Sequence, residues 1–325
     1  MKRVIVTGAA GFLGSHLAKH HLEAGDKVLG IDDFSSSDSR SRHLADLQSY
    51  ENFSFLVHDI SQPLPYTVDT WEPKLIYNFA CPASPPRYQE MPIHTMMTCV
   101  AGTKNMLTVA DASHATLVHA STSEVYGDPE VSPQNETYRG CVNSYGPRSC
   151  YDEGKRAAEA LCYDYLYKHG TDARLVRIFN TYGPNMDPYD GRVVTNFIRQ
   201  ALKLEKITIY GEGTQTRSFC YVDDLIRGIV ALGALQENPR TPVNIGNPNE
   251  FTILELAEEV ARMMGATEDA IVGNWLFETR PLPTDDPIQR CPDITRAKEL
   301  LGWEPKVQLR EGLDRTITYL RTVVK

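Results

Sequence analysis

A glycine-rich turn after the first apolar run restricts the fold of this chain more than any other feature. Arg3–Thr7 has the composition of a buried strand, and Gly8, Gly11 and Gly14 follow it at the start of a predicted helix. Glycines so spaced allow a tight turn, a close approach of backbone N–H groups to a pyrophosphate and close packing of the helix on the strand. We therefore predict a βα unit that binds a dinucleotide.

The first half of the chain alternates apolar runs with helical patterns. The predicted strands are residues 3–7, 27–32, 53–59, 75–80, 116–121 and 174–180, and the predicted helices are residues 11–24, 95–112 and 153–168. Several of the apolar runs are nearly continuous, as expected for strands buried on both faces of a parallel sheet. The alternation predicts an α/β fold with a doubly wound parallel sheet, the Rossmann type.

The order of elements becomes less regular after residue 181. We predict strands at residues 208–210 and 243–245, and helices at residues 194–204, 223–235, 253–264 and 310–323. We therefore expect a dinucleotide-binding domain over residues 1–181, to which later segments return. A smaller, interleaved substrate-binding lobe is expected over residues 182–325.

Acidic residues at strand ends favour one dinucleotide over the other. Asp32 ends the second predicted strand, where a carboxylate suits ribose hydroxyls and repels a 2′-phosphate, so NAD is favoured over NADP. Arg40 and Arg42 are cations that could bind a 2′-phosphate and so favour NADP. Asp32 and Asp33 come before them in the chain, directly at the strand end, so NAD stays the prediction. Asp59, at the end of the third predicted strand, is expected to meet the adenine edge.

A tyrosine and a lysine four residues apart suggest acid–base chemistry. Tyr151 and Lys155 share one face of a predicted helix. The ammonium and the positive nicotinamide ring are expected to lower the pKa of Tyr151, which would then take a proton from a hydroxyl. Such pairs arise by chance, but Thr122 and Glu124 directly follow the fifth predicted strand, at the sheet edge where ligands bind. Glu124 is a second acid–base candidate, with a solvated loop carboxylate as the alternative.

Composition and charge exclude several classes of function. The 325 residues carry a formal net charge of −9, which argues against nucleic-acid binding through clustered cations. Seven scattered cysteines contain no C-x-x-C pair, so we expect neither a metal site nor a disulfide framework. No apolar run reaches membrane-spanning length, and the first strand follows Met1 almost directly, which leaves no room for a signal peptide. We expect a cytoplasmic enzyme, with a longer natural precursor left open.

Three motifs together resemble the extended short-chain dehydrogenase/reductases that act on nucleotide sugars. They are residues 7–14 (TGAAGFLG), 121–127 (STSEVYG) and 151–155 (YDEGK). Longer stretches resemble the UDP-glucuronate decarboxylases, or UDP-xylose synthases, among these enzymes. They are residues 82–86, 121–129, 150–156, 178–184, 190–194 and 302–305, and the match extends over essentially the whole chain.

The resemblance implies a reaction and a set of catalytic residues. UDP-glucuronate would be oxidised at C4 by NAD, lose carbon dioxide from the 4-keto intermediate and be reduced again to UDP-xylose. Tyr151 would be the base, while Glu124 and Arg290 would serve decarboxylation and reprotonation. The implied catalytic set is Thr122, Ser123, Glu124, Tyr151, Lys155 and Arg290. The implied cofactor contacts are Gly8, Gly11, Phe12, Leu13, Gly14, Asp32, Asp59, Ile60, Ala80, Tyr151 and Lys155.

The resemblance also implies a set of substrate contacts. They are Pro85, Tyr88, Asn180, Arg192, Asn196, Tyr210, Gln215, Arg217 and Arg290. An arginine offers a planar fork to a carboxylate or a phosphate. Because Arg290 follows Asp285 and Asp286, a surface ion pair is its alternative role. Tyr210 suits either stacking or core packing.

Three positions depart from the family's usual residues. Cys99 stands where asparagine is usual, Cys81 where serine is common, and Asn78 where histidine is frequent. Small core residues are the simplest interpretation of the two cysteines. The resemblance also implies a homodimer, through the helices around residues 95–112 and 151–168.

Three other functions stay open on the sequence alone. One is a 4-epimerase or 4,6-dehydratase acting on another nucleotide sugar, which would not need both Glu124 and Arg290. Another is a decarboxylase that releases the UDP-4-keto-pentose. A third is a non-catalytic NAD-binding scaffold or sensor.

Overall fold

Strands and helices alternate along the first half of the chain in the computed structural model, which describes residues 1–36, 40–283, 287 and 289–324. The strands are β1 (Arg3–Thr7), β2 (Lys27–Asp32), β3 (Phe53–Val57), β4 (Leu75–Asn78), β5 (Thr116–Thr122), β6 (Ala173–Ile178), β7 (Thr181–Tyr182), β8 (Ile207–Tyr210), β9 (Thr216–Ser218), β10 (Cys220–Tyr221), β11 (Val243–Ile245), β12 (Glu250–Thr252), β13 (Phe277–Arg280) and β14 (Gln289–Arg290). The α-helices are α1 (Phe12–Glu23), α2 (Arg40–Gln48), α3 (Tyr66–Asp69), α4 (Pro85–Glu90), α5 (Pro92–Met97), α6 (Thr103–Ser113), α7 (Ser149–Asp164), α8 (Val193–Leu202), α9 (Val222–Ala234), α10 (Ile253–Met263), α11 (Glu268–Val272), α12 (Thr295–Leu301) and α13 (Leu309–Val323).

A seven-stranded sheet forms the centre of the fold and confirms the predicted doubly wound α/β class. Its order is β11-β6-β5-β4-β1-β2-β3, and every pairing is parallel. Successive residues of β1 enter opposite cores, because side chains alternate across a strand. Val4 and Val6 pack in the core that contains Leu17 of α1, whereas Ile5 packs in the core that contains Met106 of α6. Both faces are therefore covered, which explains the nearly continuous apolar runs.

The last strand of this sheet comes from the second half of the chain. β11 pairs with β6, so a late segment returns to the first sheet. The other late strands form smaller sheets, β12-β9-β14, β13-β8 and β10-β7, beside the carboxyl ends of the large sheet. Most of these strands have two to four residues, too few to show a periodic pattern. The division at residue 181 stays a prediction.

A hydrogen-bond network fixes the carboxyl ends of β1 and β4, where the strand order changes direction. The hydroxyl of Thr7 donates to Oδ1 of Asn78 (3.0 Å) and accepts the backbone N–H groups of Phe79 (2.9 Å) and Ala80 (3.0 Å). Nδ2 of Asn78 donates to the hydroxyl of Thr103 on α6 (3.1 Å). Asn78, one of the three departures from the family pattern, therefore ties two strands and a helix together beside the glycine turn.

Several predicted boundaries were wrong in ways that affect the site. The predicted helix over residues 95–112 consists of α5, a π-helical turn (Thr98–Gly102) and α6. Helix α7 begins at Ser149 rather than at residue 153, which puts Tyr151 in its first turn. Strands β3 and β4 end two residues earlier than predicted, so Asp59 and Ala80 lie in loops at the carboxyl edge of the sheet.

No helix in the described part of the chain is long and apolar enough to cross a membrane. The seven cysteines, which all fall within that part, are free thiols.

Candidate active site

One cleft of about 710 Å³ lies between the carboxyl edge of the large sheet and the smaller sheets. Every residue that the sequence analysis assigned to catalysis, cofactor binding or substrate binding lines this cleft. The cleft therefore brings together residues of β5, α4, α7, α8 and β14 with residues of the loops that follow β1 and β4. Its position matches the rule that ligands of open α/β sheets bind beyond the carboxyl ends of the strands.

The glycine turn approaches neighbouring backbone too closely for side chains. Gly8 has φ +72°, and a Cβ atom placed there would lie 2.9 Å from the carbonyl oxygen of Phe79. A Cβ atom on Gly14 would lie 2.0 Å from the carbonyl oxygen of Gly8. The amide of Gly8 donates to the carbonyl oxygen of Ile31 (2.8 Å), which links the turn to β2. The turn thus presents bare backbone to the cleft, as a pyrophosphate requires.

Asp32 anchors that turn from the end of β2. Its carboxylate accepts the backbone N–H groups of Ala10 (3.0 Å) and Phe34 (2.8 Å). Burial raises the pKa of Asp32, and these hydrogen bonds oppose the rise. The side chains of Arg40 and Arg42, the cations that argue for a 2′-phosphate, lie outside the described residues.

A histidine that the sequence analysis missed lies between two carboxylates of the cofactor side. Nε2 of His94 is 3.2 Å from Asp33, and its Nδ1 is 3.8 Å from Asp59. Burial alone would raise the pKa of Asp59, but hydrogen bonds from Ser61 lower it overall. The residues around His94 on α5 follow no motif, so only the packing of α5 against the sheet edge reveals this contact.

The tyrosine–lysine pair lies at the centre of the cleft. Tyr151 shares a hydrogen bond with the hydroxyl of Thr122, and its ring stacks on that of Tyr88 with centroids 5.1 Å apart. Nζ of Lys155 donates to the carbonyl oxygen of Ala120 (2.7 Å) and lies 5.8 Å from the centroid of the Tyr151 ring. Strand β5 therefore orients both groups, through Thr122 at its end and Ala120 within it.

Burial of Tyr151 opposes the lowering of its pKa that is predicted for the complex with NAD. Burial raises this pKa well above its ordinary value, and Cys81 and the Glu124 carboxylate raise it further. The hydrogen bond with Thr122 acts in the opposite direction but does not offset the burial. The predicted lowering depends on the charges of Lys155 and of the nicotinamide ring together and stays a prediction.

Two arginines hold the carboxylate of Glu124. Nη1 and Nη2 of Arg290 donate to its two oxygens at 2.6 and 2.7 Å, and Nη2 of Arg148 donates at 2.8 Å. Burial would raise the pKa of Glu124, but the two guanidinium groups lower it, so the side chain is an anion that accepts hydrogen bonds. We call Arg148, Glu124 and Arg290 the charged triad.

Burial of the charged triad excludes both alternatives considered from the sequence. Glu124 is not a solvated loop carboxylate, because only 13% of its side chain is exposed. Arg290 is not in a surface ion pair, because it is 6% exposed. Asp285 and Asp286, the acidic residues that suggested such a pair, lie outside the described residues.

The sequence analysis missed Arg148 and its neighbour Asp152. Nε of Arg148 lies 3.9 Å from one oxygen of Asp152, and the other oxygen has no hydrogen-bond partner among the described residues. Burial and the charge of Glu124 raise the pKa of Asp152 to about 7. Arg148 precedes the decarboxylase-like stretch 150–156 by two positions, and that proximity was the only signal that could have found it.

Two of the arginines predicted to contact the substrate already have protein partners. Arg192 forms a forked ion pair with Asp190 just before the start of helix α8. Arg217 is buried and donates to the carbonyl oxygens of Thr216 (2.8 Å) and Pro287 (2.5 Å). Both guanidinium groups are thereby held in place along the cleft wall.

The remaining predicted substrate contacts are held mainly by backbone. Nδ2 of Asn196 donates to the carbonyl oxygen of Gly191 (2.8 Å), and Nε2 of Gln215 donates to that of Tyr210 (2.8 Å). Tyr210 is 39% exposed, so the core-packing alternative is wrong. The backbone oxygen of Asn180 accepts an N–H group from the start of β10.

Two hydroxyl groups in the cleft wall have no hydrogen-bond partner within the described part of the chain. They are the hydroxyls of Tyr88 and Ser84, which are both buried. Buried hydroxyls are normally hydrogen-bonded. Their location, next to Tyr151 and Pro85, therefore suits a ligand rich in hydroxyl or carboxylate oxygens.

One cleft joins the doubly wound sheet and its glycine turn to the tyrosine–lysine pair on α7 and to the smaller sheets. This combination defines the extended class of short-chain dehydrogenases/reductases. The family model described as GDP-mannose 4,6 dehydratase matches residues 5–316. UDP-glucuronic acid decarboxylase 1 of Xenopus tropicalis is 49% identical over 320 residues, 98% of this chain and 72% of that protein. UDP-glucuronic acid decarboxylase 1 of Arabidopsis thaliana is 48% identical over 98% of this chain and 70% of its own. The chain belongs to this dehydratase family and, within it, to the UDP-glucuronic acid decarboxylases.

The solved structures agree in fold at lower identity. The UDP-glucuronic acid 4-epimerase of Bacillus cereus, in complex with UDP-glucuronic acid and NAD, has a TM-score of 0.86 and 27% identity, with 99% of each chain covered. A dTDP-glucose 4,6-dehydratase of Streptomyces venezuelae, with NAD and TYD bound, has a TM-score of 0.86 and 26% identity, covering 98% of this chain and 97% of that one.

Proposed function

We propose that this protein is an NAD-dependent carboxy-lyase that converts UDP-glucuronate to UDP-xylose and carbon dioxide without net change in NAD. The observation that carries the proposal is the charged triad, which lines the same cleft as the tyrosine–lysine pair. A plain oxidoreductase needs Tyr151 and Lys155, whereas a carboxylate substrate also needs a fixed cation. The decarboxylase names of the relatives from Xenopus tropicalis and Arabidopsis thaliana agree with this chemistry.

The residues present fit NAD. The backbone of the turn at Gly8 and Gly14 has no room for side chains and suits the pyrophosphate, while Asp32 suits the adenosine ribose. Asp59 and Lys155 line the same cleft, where Asp59 would meet the adenine and Lys155 would bond the nicotinamide ribose. Bound NAD would supply a reversible hydride acceptor for C4 and a positive charge that favours the phenolate of Tyr151.

Tyr151 moves the proton at O4. Thr122 fixes its hydroxyl by a hydrogen bond, and stacking on Tyr88 fixes its ring. Tyr151 takes the proton of the C4 hydroxyl as the sugar is oxidised, and it returns a proton to O4 when the ketone is reduced. Because burial raises the pKa of Tyr151, it donates readily in the second step and needs added positive charge in the first.

The charged triad attracts the carboxylate of the substrate. Two guanidinium groups around one carboxylate leave one net positive charge, which attracts the C6 carboxylate of the substrate. Once C4 is a ketone, the C5–C6 bond can break, because its electron pair passes into the C4 carbonyl to give an enolate while carbon dioxide leaves. A proton then adds at C5. Since Glu124 is ionised, its role is to hold the fork of Arg290, and it is a poor source of that proton.

The products formed from UDP-glucuronate test this proposal. Incubation with NAD, followed by NMR and by mass spectrometry, should give UDP-xylose and carbon dioxide in equal amounts without accumulation of NADH. UDP-galacturonate with its carboxylate retained would mean a 4-epimerase, the activity of the Bacillus cereus neighbour. UDP-4-keto-pentose with equimolar NADH would mean that the intermediate is released. Binding of NAD without any conversion of UDP-glucuronate would favour a non-catalytic NAD-binding scaffold or sensor.

We also propose a homodimer. Large apolar side chains are exposed on two adjacent helices, Ile93 and Met97 on α5 and Tyr163 and Tyr167 on or just after α7. Contiguous exposed apolar surface of this kind marks an interaction site. Light scattering of the purified protein should give twice the monomer mass of 36.4 kDa, and Met97→Glu should reduce that mass. The cytoplasmic location stays a prediction.

A further inference from the structure

Two thiols meet beneath the catalytic tyrosine. Cys81 lies in the loop after β4 and lines the cleft, whereas Cys99 lies in the π-helical turn between α5 and α6 and is 2% exposed. Their sulfur atoms are 3.3 Å apart. Both positions depart from the family's usual residues, and neither departure serves the proposed reaction.

The surroundings of the pair favour a thiol–thiolate couple over two inert thiols. The hydrogen bond from Cys81 lowers the pKa of Cys99, and the ammonium of Lys155 acts in the same direction. Burial raises the pKa of Cys81. The proton on the contact between the two sulfurs can lie on either, so one sulfur at a time is the nucleophile. Thiolates stabilised by a neighbouring lysine are the reactive cysteines of proteins.

We propose that Cys81 and Cys99 form a redox-active dithiol, a site of reversible oxidation by peroxide within the catalytic cleft. Cys81, the sulfur that lines the cleft, passes its proton to the Cys99 thiolate across their contact, attacks one oxygen of hydrogen peroxide and becomes a sulfenic acid with release of hydroxide. That hydroxide takes the proton from Cys99 and becomes water, and the Cys99 thiolate then attacks the Cys81 sulfur, forming a disulfide and releasing a second hydroxide. The two sulfurs lose two electrons in total, the peroxide is reduced, and a proton from solvent, equal to the one that Cys99 released on ionising, completes the second water molecule.

The position of the pair connects this oxidation to turnover. Cys99 packs directly against Gly154, between Tyr151 and Lys155, since a Cβ atom on Gly154 would lie 3.0 Å from that of Cys99. A disulfide needs the sulfurs roughly 1 Å closer than they are. Closure therefore pulls the loop of Cys81 toward α7, next to the tyrosine–lysine pair. The cross-link itself does not depend on the proposed reaction, whereas its effect on turnover does.

The test treats the NAD-saturated protein with hydrogen peroxide and then blocks the remaining thiols by alkylation. Peptide mass spectrometry without reductant should find Cys81 linked to Cys99, with the loss of two hydrogens. The rate of UDP-xylose formation should fall by at least about tenfold, and dithiothreitol should restore it. In Cys99→Ser the link should be absent, and the peroxide-treated variant should form UDP-xylose at the same rate as the untreated variant.

Cys141→Ser removes an exposed thiol outside the cleft and should leave both the link and the rate loss as in the wild type. A link of either sulfur to Cys150, the third thiol near the site, would overturn the proposal. So would the absence of any link, a link without loss of turnover, or a loss that persists in Cys99→Ser. If the protein converts no UDP-glucuronate, the link remains measurable, so failure of the proposed function and failure of the dithiol are separate outcomes.

Discussion

The two ends of the cleft are built in different ways. The cofactor end consists mainly of backbone from one short stretch, the turn from Gly8 to Gly14, tied to Asp32 on the next strand. The substrate end depends on the charged triad, in which Glu124 and Arg290 lie 166 positions apart in the chain. A backbone site binds any dinucleotide of the right shape, whereas a set of fixed charges selects one substrate group. The comparison suggests that the cofactor end defines the class of enzyme and the substrate end defines its reaction.

The two ends of the cleft also differ in their effect on the free energy of folding. A tight glycine turn stores little energy beyond the loss of chain entropy. Removing two guanidinium groups and a carboxylate from water is expensive, and such clusters are often no more stable than apolar packing of the same volume. We infer that the charged triad is kept for its chemistry.

Loss of the Tyr151 hydroxyl should have the largest effect, because both ends of the cleft meet there. Tyr151→Phe should reduce UDP-xylose formation by about 10²- to 10⁴-fold, since only the proton transfer at O4 is removed. NAD binding, measured by fluorescence titration, should stay within about twofold of the wild type. Tyr66→Phe, at an exposed tyrosine far from the cleft, is the matched control. Turnover near the wild-type rate in Tyr151→Phe would remove this residue from the mechanism.

Changes at Arg290 test whether the substrate end sets the reaction. Arg290→Ala should slow carbon dioxide release by roughly 10²-fold or more, because the net positive charge that attracts the substrate carboxylate is lost together with the forked partner of Glu124. UDP affinity, measured by calorimetry, should change little. Arg290→Lys keeps the charge without the fork and should give an intermediate rate, which separates catalysis from misfolding.

Arg262→Ala removes an exposed ion-pair network on α10 and serves as the surface control. A parallel loss of UDP binding and of carbon dioxide release in Arg290→Ala would instead make Arg290 a diphosphate contact.

A change at the glycine turn should affect the cofactor end alone. In Gly14→Ala the new Cβ atom would meet the carbonyl oxygen of Gly8, so the turn must shift. We expect NAD affinity to fall by at least about tenfold, with UDP affinity unchanged. Gly265→Asn alters a glycine with no neighbour within 4 Å and should leave NAD affinity as it is. Equal losses of NAD and UDP binding in Gly14→Ala would show that the two ends are not independent.

The smallest expected effect is a pH dependence of stability from Asp152. Burial and the charge of Glu124 raise its pKa to about 7, against an ordinary value of 3.8. The folded protein thus holds this proton more tightly than the unfolded chain does. The corresponding stabilisation is fully present below about pH 4 and is lost as the pH rises through about 7.

Asp152→Asn should remove that part of the pH dependence, so the free energy of unfolding of the variant should fall less between pH 5 and pH 8, within the window set by the pKa of about 7. Urea titrations at each pH measure this difference. Glu153→Gln, at the next and more exposed position, should follow the wild type. Parallel curves for the wild type and Asp152→Asn would mean that Asp152 titrates normally.

The two ends of the cleft also differ in how far the sequence predicts them. The parallel strands and the glycine turn were predicted because their signals are continuous in the chain: apolar runs, glycine spacing and a terminal aspartate. Strand β8 was predicted at residues 208–210, but the other strands of the smaller sheets were missed, since two to four residues show no period. The π-helical turn within the predicted helix 95–112 was missed for a similar reason, because its composition is helical throughout.

The charged triad was predicted only in part. Glu124 was predicted from its place after the fifth strand and Arg290 through the family resemblance, whereas Arg148 lay two positions outside the recognised stretch and Asp152 lay inside it without an assigned role. Charged residues near a helix start are ordinary on a surface, and only tertiary packing shows that these two are buried together. The prediction for Tyr151 weighed the charges of Lys155 and of the nicotinamide ring but not the burial, which raises the pKa of this tyrosine and is visible only in the fold.

The fate of a label at C4 tests the central claim most directly. UDP-glucuronate carrying deuterium at C4 should give UDP-xylose that keeps the deuterium at C4, together with one equivalent of carbon dioxide. That result requires oxidation, loss of the carboxylate and re-reduction within one binding event. Deuterium found in free NADH, or in UDP-galacturonate formed with its carboxylate retained, would contradict the account.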